Sequence, residues 1–452
     1  MKSFVVTSAI LAAAVSANPT PTEEQKPNKR ASLPTVTASG NAFWADTNRF
    51  YVRGLDYQPG GSSGNADPLT DETVCKRDIA KFKTLGINTI RVYAVDNSAD
   101  HKTCMNELAD AGIYLILDVN NPLYSINRES PAISYNEVYL QSVFATIDEF
   151  VKYDNTLAFF SGNEVVNDQT NTTLAAPYVK ATTRDMRQYI SKRGYRSVPV
   201  GYSAADVSQN RWQLAQYFNC GSDEERSDFF AFNDYSWCNS DFEESGWSQK
   251  VQNFTGYGLP LFLSEYGCIT NGRDFGEVEA LMSDDMTSVY SGGLVYEYSE
   301  EGSGYGIVSI DGDTVSTKTD FAAYSTALSK YPAPTGDGGF TSTTNSAACP
   351  SADSDWLVSD TALPALPTAA EKYMTKGAGT GPGLNGDGSQ NAGTASSSDS
   401  SSGSGSGSSS SATSTSSGKK SAGAVGPAPL DKGAFMVTGV VFLFTLVGTM
   451  LL

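Results

Sequence analysis

Ile113-Tyr-Leu-Ile-Leu-Asp118 decides the fold. The run is short and apolar until its last residue, with no polar alternation. A strand with one face in water alternates with period two. A run without alternation fits a strand covered on both faces, as in parallel sheets flanked by helices. The same kind of run recurs on either side. Upstream lie Phe50–Leu55 and Asn88–Tyr93, and downstream Leu157–Ser161, Ser197–Tyr202, Asp228–Asn233, Leu259–Ser264 and Gly293–Tyr298. Between the first two strands, Thr73–Leu85 is amphipathic, with Val74, Ile79, Phe82 and Leu85 on one side and Gly86 as its stop. Further helices are expected over Cys104–Ala111, Asn136–Tyr153, Ala175–Arg193 and Val278–Tyr290. Eight short strands interleaved with helices over about 320 residues (32–350) predict the α/β class and a closed (β/α)8 TIM barrel. An open doubly wound sheet is the alternative, but no GxGxxG turn follows the first strand.

The flanks have different compositions. Met1–Ala17 reads as a signal peptide: Lys2 is charged, Phe4–Val15 is apolar, and Val15-Ser16-Ala17 offers small residues for cleavage. Residues 18–31 read as a linker or short pro-segment containing the dibasic pair Lys29-Arg30. From about Gly377 to Gly423 the chain is almost all Ser, Gly, Thr and Ala, so 351–423 is expected to be a disordered stalk. The small residues Ser421, Ala422 and Gly423 precede a spacer, Ala424–Gly433, and an uncharged apolar tail, Ala434–Leu452. This is the pattern of a glycosylphosphatidylinositol (GPI) signal with attachment at Ser421 and removal of 424–452. The tail is also long enough to span a bilayer, but no positive anchor follows it.

Composition excludes several chemistries. Six cysteines (Cys75, Cys104, Cys220, Cys238, Cys268 and Cys349) favour disulfides in a secreted chain, with the pairing left open. His101 is the only histidine. A His/Cys zinc site is therefore not expected, and a Ser-His-Asp triad would depend on His101 alone. Neither metal nor cofactor is expected. A formal charge of −19 argues against a nucleic-acid partner. Asn171-Thr-Thr and Asn253-Phe-Thr are N-glycosylation sequons and imply exposed positions if used.

Barrel active sites lie where strands end and βα loops begin. The strand ends carry Arg91-Val-Tyr93, Asp118, Asn163-Glu164, Asn233-Asp234-Tyr235, Ser264-Glu265-Tyr266 and Tyr296-Glu297-Tyr298. This is a ring of carboxylates and aromatics, with no lysine or histidine. Any one buried carboxylate at a strand end is more often half of a structural ion pair than a catalytic group. Two facing ones, Glu164 and Glu265, suit glycoside cleavage, in which one carboxyl protonates the leaving oxygen and the other attacks the sugar carbon. Aromatic rings offer flat apolar faces to sugars and hydroxyls to their oxygens.

Gly162-Asn163-Glu164 and Ser264-Glu265-Tyr266-Gly267 look like the two signatures of retaining glycosidases built on such barrels. The likeness goes further. Gly54-Leu-Asp-Tyr57-Gln58-Pro-Gly-Gly61, Ile90-Arg91-Val-Tyr93, Ser125-Ile-Asn127-Arg128, Tyr235-Ser-Trp237-Cys238, Ser264-Glu-Tyr-Gly-Cys268 and Ser291-Gly-Gly-Leu-Val-Tyr296-Glu-Tyr298 together resemble glycoside hydrolase family 72 over about residues 32–330. These are GPI-anchored fungal cell-wall β-1,3-glucanosyltransferases. The resemblance implies Glu164 as acid/base, Glu265 as nucleophile, and carboxyl groups about 5–5.5 Å apart. It implies Asn163 on the sugar 2-hydroxyl, and Tyr93, Asp118, Tyr235, Tyr296 and Gln58 as substrate contacts. It further implies disulfides Cys75–Cys104, Cys238–Cys268 and Cys220–Cys349. Donor and acceptor glucan chains, and the outer face of the plasma membrane through a GPI lipid, would be the partners of a monomer. No cysteine follows Cys349, so the cysteine-rich glucan-binding module of some members is missing. A β-1,3-glucanase and a non-catalytic glucan-binding wall glycoprotein are the alternatives.

Overall fold

The computed structural model describes residues 33–359 and 361–393. The chain enters through an antiparallel meander of β1 (Val36–Ser39), β2 (Ala42–Ala45) and β3 (Asn48–Phe50). Its Val36, Phe43 and Phe50 pack with Val52, Tyr114, Leu157, Phe229 and Phe262, which lie at or near the starts of barrel strands. The meander therefore plugs the N-terminal end of the barrel.

Eight parallel strands then close on themselves: β4 (Val52–Asp56), β5 (Thr89–Val92), β6 (Tyr114–Asp118), β7 (Thr156–Asn163), β8 (Val200–Ala205), β9 (Phe229–Asn233), β10 (Leu261–Tyr266) and β11 (Tyr290–Val295). The expected (β/α)8 barrel is present. Leu115, Ile116 and Leu117 are all fully buried, as a strand covered on both faces requires. Closure depends on glycine where β11 meets β4. Gly292 sits at φ +89°, and a Cβ there would lie 2.0 Å from the Val52 carbonyl oxygen.

Helices at Glu72–Leu85, Lys102–Asp110, Glu137–Phe150 and Ala176–Lys192 lie where the sequence puts them. The helix expected over Val278–Tyr290 is instead two short ones, Gly276–Leu281 and Asp284–Thr287, separated by Ser283 in an extended conformation. Tyr290 belongs to β11, so the last strand starts earlier than expected and ends before Tyr296. Its pairing with β10, from Leu261↔Tyr290 to Tyr266↔Val295, sets these limits. A hairpin, β12 (Val308–Asp311) and β13 (Thr314–Thr317), and a helix over Thr319–Lys330 follow.

The expectation of a stalk beginning at residue 351 is corrected. Trp356 is fully buried, with its ring 5.3 Å from that of Tyr217. Ala370, Met374, Ala378, Leu384 and Ser389 are buried as well. A few apolar anchors hold this segment, and its glycines allow contacts closer than any side chain would. A Cβ on Gly381, for example, would lie 2.1 Å from Asn97 Oδ1. The rest of the stalk, Ser421, the tail 424–452, Met1–Ala17 and Lys29-Arg30 lie outside the described residues. Among the described residues, no helix is long and apolar enough to cross a membrane. Asn171 and Asn253 are both exposed. The disulfides are Cys75–Cys104, Cys238–Cys268 and Cys220–Cys349, the pairs the resemblance implies.

Candidate active site

Glu164 and Glu265 both follow irregularities in strand register. β7 shifts against β8 between Phe160 and Asn163, and β10 shifts against β9 between Leu263 and Glu265. Such local breaks re-aim the side chains that follow them. Glu265 is 7% exposed. Its Oε1 accepts from Tyr93 Oη at 2.8 Å and from Arg91 Nη1 at 3.1 Å, and its Oε2 accepts from Tyr235 Oη at 2.6 Å. Arg91 is fully buried and is itself held by Asp118, with Nε to Oδ2 at 2.8 Å and Nη2 to Oδ1 at 3.2 Å. Its guanidinium also lies over the rings of Tyr93 and Phe160. The cation behind Glu265 is thus fixed in both position and plane. Burial raises the Glu265 pKa to about 7, with Arg91 opposing, the Glu164 charge adding, and the Tyr235 and Tyr93 hydroxyls opposing.

Glu164 is held differently. It is half-buried and sits at φ +48°, a left-handed conformation that costs a non-glycine residue about 1–3 kcal/mol. Two backbone bonds hold it there: its N–H donates to Ser203 O at 2.9 Å, and Arg128 Nη2 donates to its carbonyl at 2.7 Å. Among the described residues its carboxyl receives one side-chain bond, from Asn233 Nδ2 at 2.8 Å. Asn163 Oδ1 is occupied by Ser203 Oγ and Asn233 Nδ2. With Oδ1 accepting from both, the Asn163 amide nitrogen keeps its N–H groups as donors.

A sequence profile of glycoside hydrolase family 72, described as glucanosyltransferase, matches residues 25–332. The chain belongs to this family. It is 61% identical over 384 residues to the 1,3-beta-glucanosyltransferase gel1 of Aspergillus fumigatus, covering 84% of each chain. It is 52% identical over 359 residues to the 1,3-beta-glucanosyltransferase GAS5 of Saccharomyces cerevisiae, covering 78% of this chain and 74% of that one. Among solved structures it resembles a glutamate-to-glutamine variant of Saccharomyces cerevisiae Gas2p in complex with laminaritetraose and laminaripentaose. There the TM-score is 0.68 at 37% identity, over 74% of this chain and 75% of that one.

In this family-72 member the cleft brings together Glu164, Glu265, Asn163, Tyr93, Tyr235 and Tyr296. Two further residues expected to contact substrate are engaged by protein groups. Asp118 points both oxygens at Arg91. Gln58 is buried, with Oε1 taking the N–H groups of Tyr93 and Ala94, each at 3.1 Å, and Nε2 donating to Ala66 O at 2.7 Å. Its amide is engaged by the backbone and braces Tyr93. The cleft also holds one aromatic that the strand-end reading missed and several polar groups whose part it left open. Tyr305, on the loop after β11, packs edge-on to Tyr235 and to Tyr296 with ring centres 5.5 Å apart in each case. It follows the strand end by several residues, so strand-end logic could not reach it. Asn233 and Arg91 stood in quoted motifs, but nothing in one sequence revealed which carboxylates they hold. Asp56 is fully buried, and neither of its carboxyl oxygens has a hydrogen-bond partner among the described residues. Burial, with Glu265, Asp118 and Glu297 adding against Arg91, pushes its pKa well above the ordinary range. Burial likewise raises Glu297 to about 7.

Proposed function

We propose that this chain is a retaining β-1,3-glucanosyltransferase. Glu265 attacks the anomeric carbon of an internal β-1,3-linked residue while Glu164 protonates the departing oxygen. The reducing-end fragment leaves, and the remaining chain is held as an ester on Glu265. Glu164 then takes the proton from the 3-hydroxyl at the non-reducing end of a second glucan. That oxygen displaces Glu265, and the product is a longer chain with a β linkage. Asn163 donates to the sugar 2-hydroxyl beside the reacting carbon, and the tyrosines line the sugar rings.

One observation carries this reading: the two carboxyls are held unequally. Glu265 takes three bonds from Tyr93, Arg91 and Tyr235, which suit an anion that must attack. Glu164 takes one, from a neutral amide, which suits a group that gives and recovers a proton. The relatives named 1,3-beta-glucanosyltransferase support transfer over hydrolysis, since both reactions share every step up to the ester. Incubation with a reduced laminari-oligosaccharide tests this. Products longer than the donor are expected, and a ladder of shorter products alone would make the protein a glucanase. The leader at Met1–Ala17 and the signal around Ser421 support secretion and GPI attachment at the outer face of the plasma membrane. Release of the native protein from cells by a phosphatidylinositol-specific phospholipase tests the anchor, and retention of a Ser421 label in an intact tail would refute it.

A further inference from the structure

The segment that follows the barrel grips three of the loops at its catalytic end. In the loop after β4, Asn65 Nδ2 donates to Leu384 O. In the loop after β5, Asn97 Oδ1 accepts from Gly383 N at 3.0 Å. In the loop after β6, Leu123 O accepts from Ser389 N at 2.9 Å, and Ser125 Oγ accepts from Gln390 Nε2 at 2.6 Å. Asn136 Nδ2 then closes over Ser389 O at 2.8 Å, and Ser389 is fully buried. The fit needs small residues. A Cβ on Gly386 would stand 2.0 Å from the hydroxyl of Tyr124, which is only 2% exposed.

The loop after β6 leads into the cleft. Three residues beyond Ser125 it carries Arg128, whose guanidinium holds the Glu164 carbonyl. The Arg128 side chain is exposed, so its position depends on the course of the loop rather than on burial. That hold matters because Glu164 sits in a left-handed backbone conformation, with Ser203 O accepting from its N–H and Arg128 donating to its carbonyl. A continuous set of contacts therefore runs from Ser389 and Gln390 through Leu123 and Ser125 to Arg128 and Glu164.

We infer that residues 381–390 form a positioning strap for the acid/base carboxyl, setting the loop after β6 so that Arg128 keeps Glu164 aimed at the leaving oxygen. The inference rests on the reading of Glu164 as acid/base. It makes the strap a part of the machinery that lies outside the barrel.

The test compares two donors on the full-length protein. A laminari-oligosaccharide needs its leaving oxygen protonated; a dinitrophenyl β-laminarioside does not. In Gln390→Ala, Gly386→Val and Arg128→Ala, turnover of the oligosaccharide should fall by about tenfold or more, part of the ~10²–10⁴ that a general acid contributes. KM and the first-turnover release of dinitrophenolate should each stay within about twofold. Arg128→Lys should recover much of the loss. Equal losses on both donors would overturn the strap as a positioning element, because partial unfolding lowers both alike. Arg128→Ala leaves the strap itself untouched and so keeps the test valid if Gly386→Val does not fold. Glu164→Gln separates the two claims. If it keeps full oligosaccharide turnover, the acid/base reading fails. If it discriminates between the donors and the other three variants do not, the strap alone fails.

Discussion

Glu164 and Glu265 open on one cleft, yet the walls that carry them are built on different principles. The β10 wall works through side chains. Tyr93, Tyr235 and Arg91 converge on the Glu265 carboxylate, and Asp118 holds Arg91 from behind. The β7 wall works through backbone. Ser203 and Arg128 fix the peptide units of Glu164 and leave its carboxyl with a single amide donor. A carboxylate that must attack is surrounded by groups that favour its charge. A carboxyl that must give up and regain a proton is held firmly in place but bonded lightly. Two chemically identical side chains have different surroundings, which suit the separate roles proposed for them.

The most severe way to break this contrast is to remove the carboxyls themselves. Glu265→Gln should lower activity by at least ~10³-fold on every donor, because no leaving group compensates for a missing nucleophile. Glu164→Gln should spare the first turnover of the dinitrophenyl donor, and steady-state kinetics on both donors reads the difference.

A smaller change sharpens the β10 side. Tyr235→Phe deletes one donor to an ionised carboxylate, worth about 1.5–3 kcal/mol, so kcat/KM should fall by ~10–100-fold. The sign of the pH effect follows from the same bond. Glu265 must be ionised to attack, and its pKa already stands at about 7 because of burial. Losing a donor raises that pKa further, so the acid limb of the kcat/KM profile should move to higher pH. A profile that stays in place would mean that Tyr235 does not stabilise the anion.

The smallest expected effect on catalysis comes from His101, which serves as the contrast to both walls. It is buried between Asp67 Oδ2 at 2.7 Å and Glu149 Oε1 at 3.1 Å. Burial would lower its pKa, but the two carboxylates outweigh burial and raise it from 6.5 to about 9. A raised folded-state pKa means that this stabilisation is fully present below about pH 6.5 and is lost as pH rises through about 9. His101→Leu should therefore cost about 1.5–3 kcal/mol near neutral pH, since it removes a charge-assisted bond from two partly buried carboxylates that keep Asp96 N and Lys152 Nζ as partners. The melting temperature should fall, and by less at pH 10 than at pH 6. kcat on the two donors should drop in equal proportion or not at all.

The barrel was legible because strands buried on both faces are written as unbroken apolar runs, Ile113–Asp118 most plainly. Glu164 and Glu265, the carboxyls proposed to react, were legible as candidates because βα strand ends are where such runs stop on acids and tyrosines. Other features depend on long-range contacts that no local pattern encodes. Gln58 sits in a conspicuous motif, yet its amide turns to the backbone of Tyr93. Asp118 ends a strand, as a substrate contact would, yet its oxygens face Arg91. Tyr305 joins the aromatic cluster only because its loop folds back over β11. Residues 351–393 read as a stalk by composition, because Trp356 and Met374 are too sparse to outweigh so many glycines and serines. Those glycines are the residues that let the segment press against Asn97 and Tyr124.

The contrast between the two walls is tested most directly by trapping the covalent intermediate. A 2-deoxy-2-fluoro laminari-oligosaccharide with a dinitrophenolate leaving group should esterify the protein once, and peptide mass spectrometry should place the sugar on Glu265. A sugar found on Glu164, or a protein that turns the donor over without ever carrying one, would contradict the assignment of nucleophile and acid/base made from the geometry.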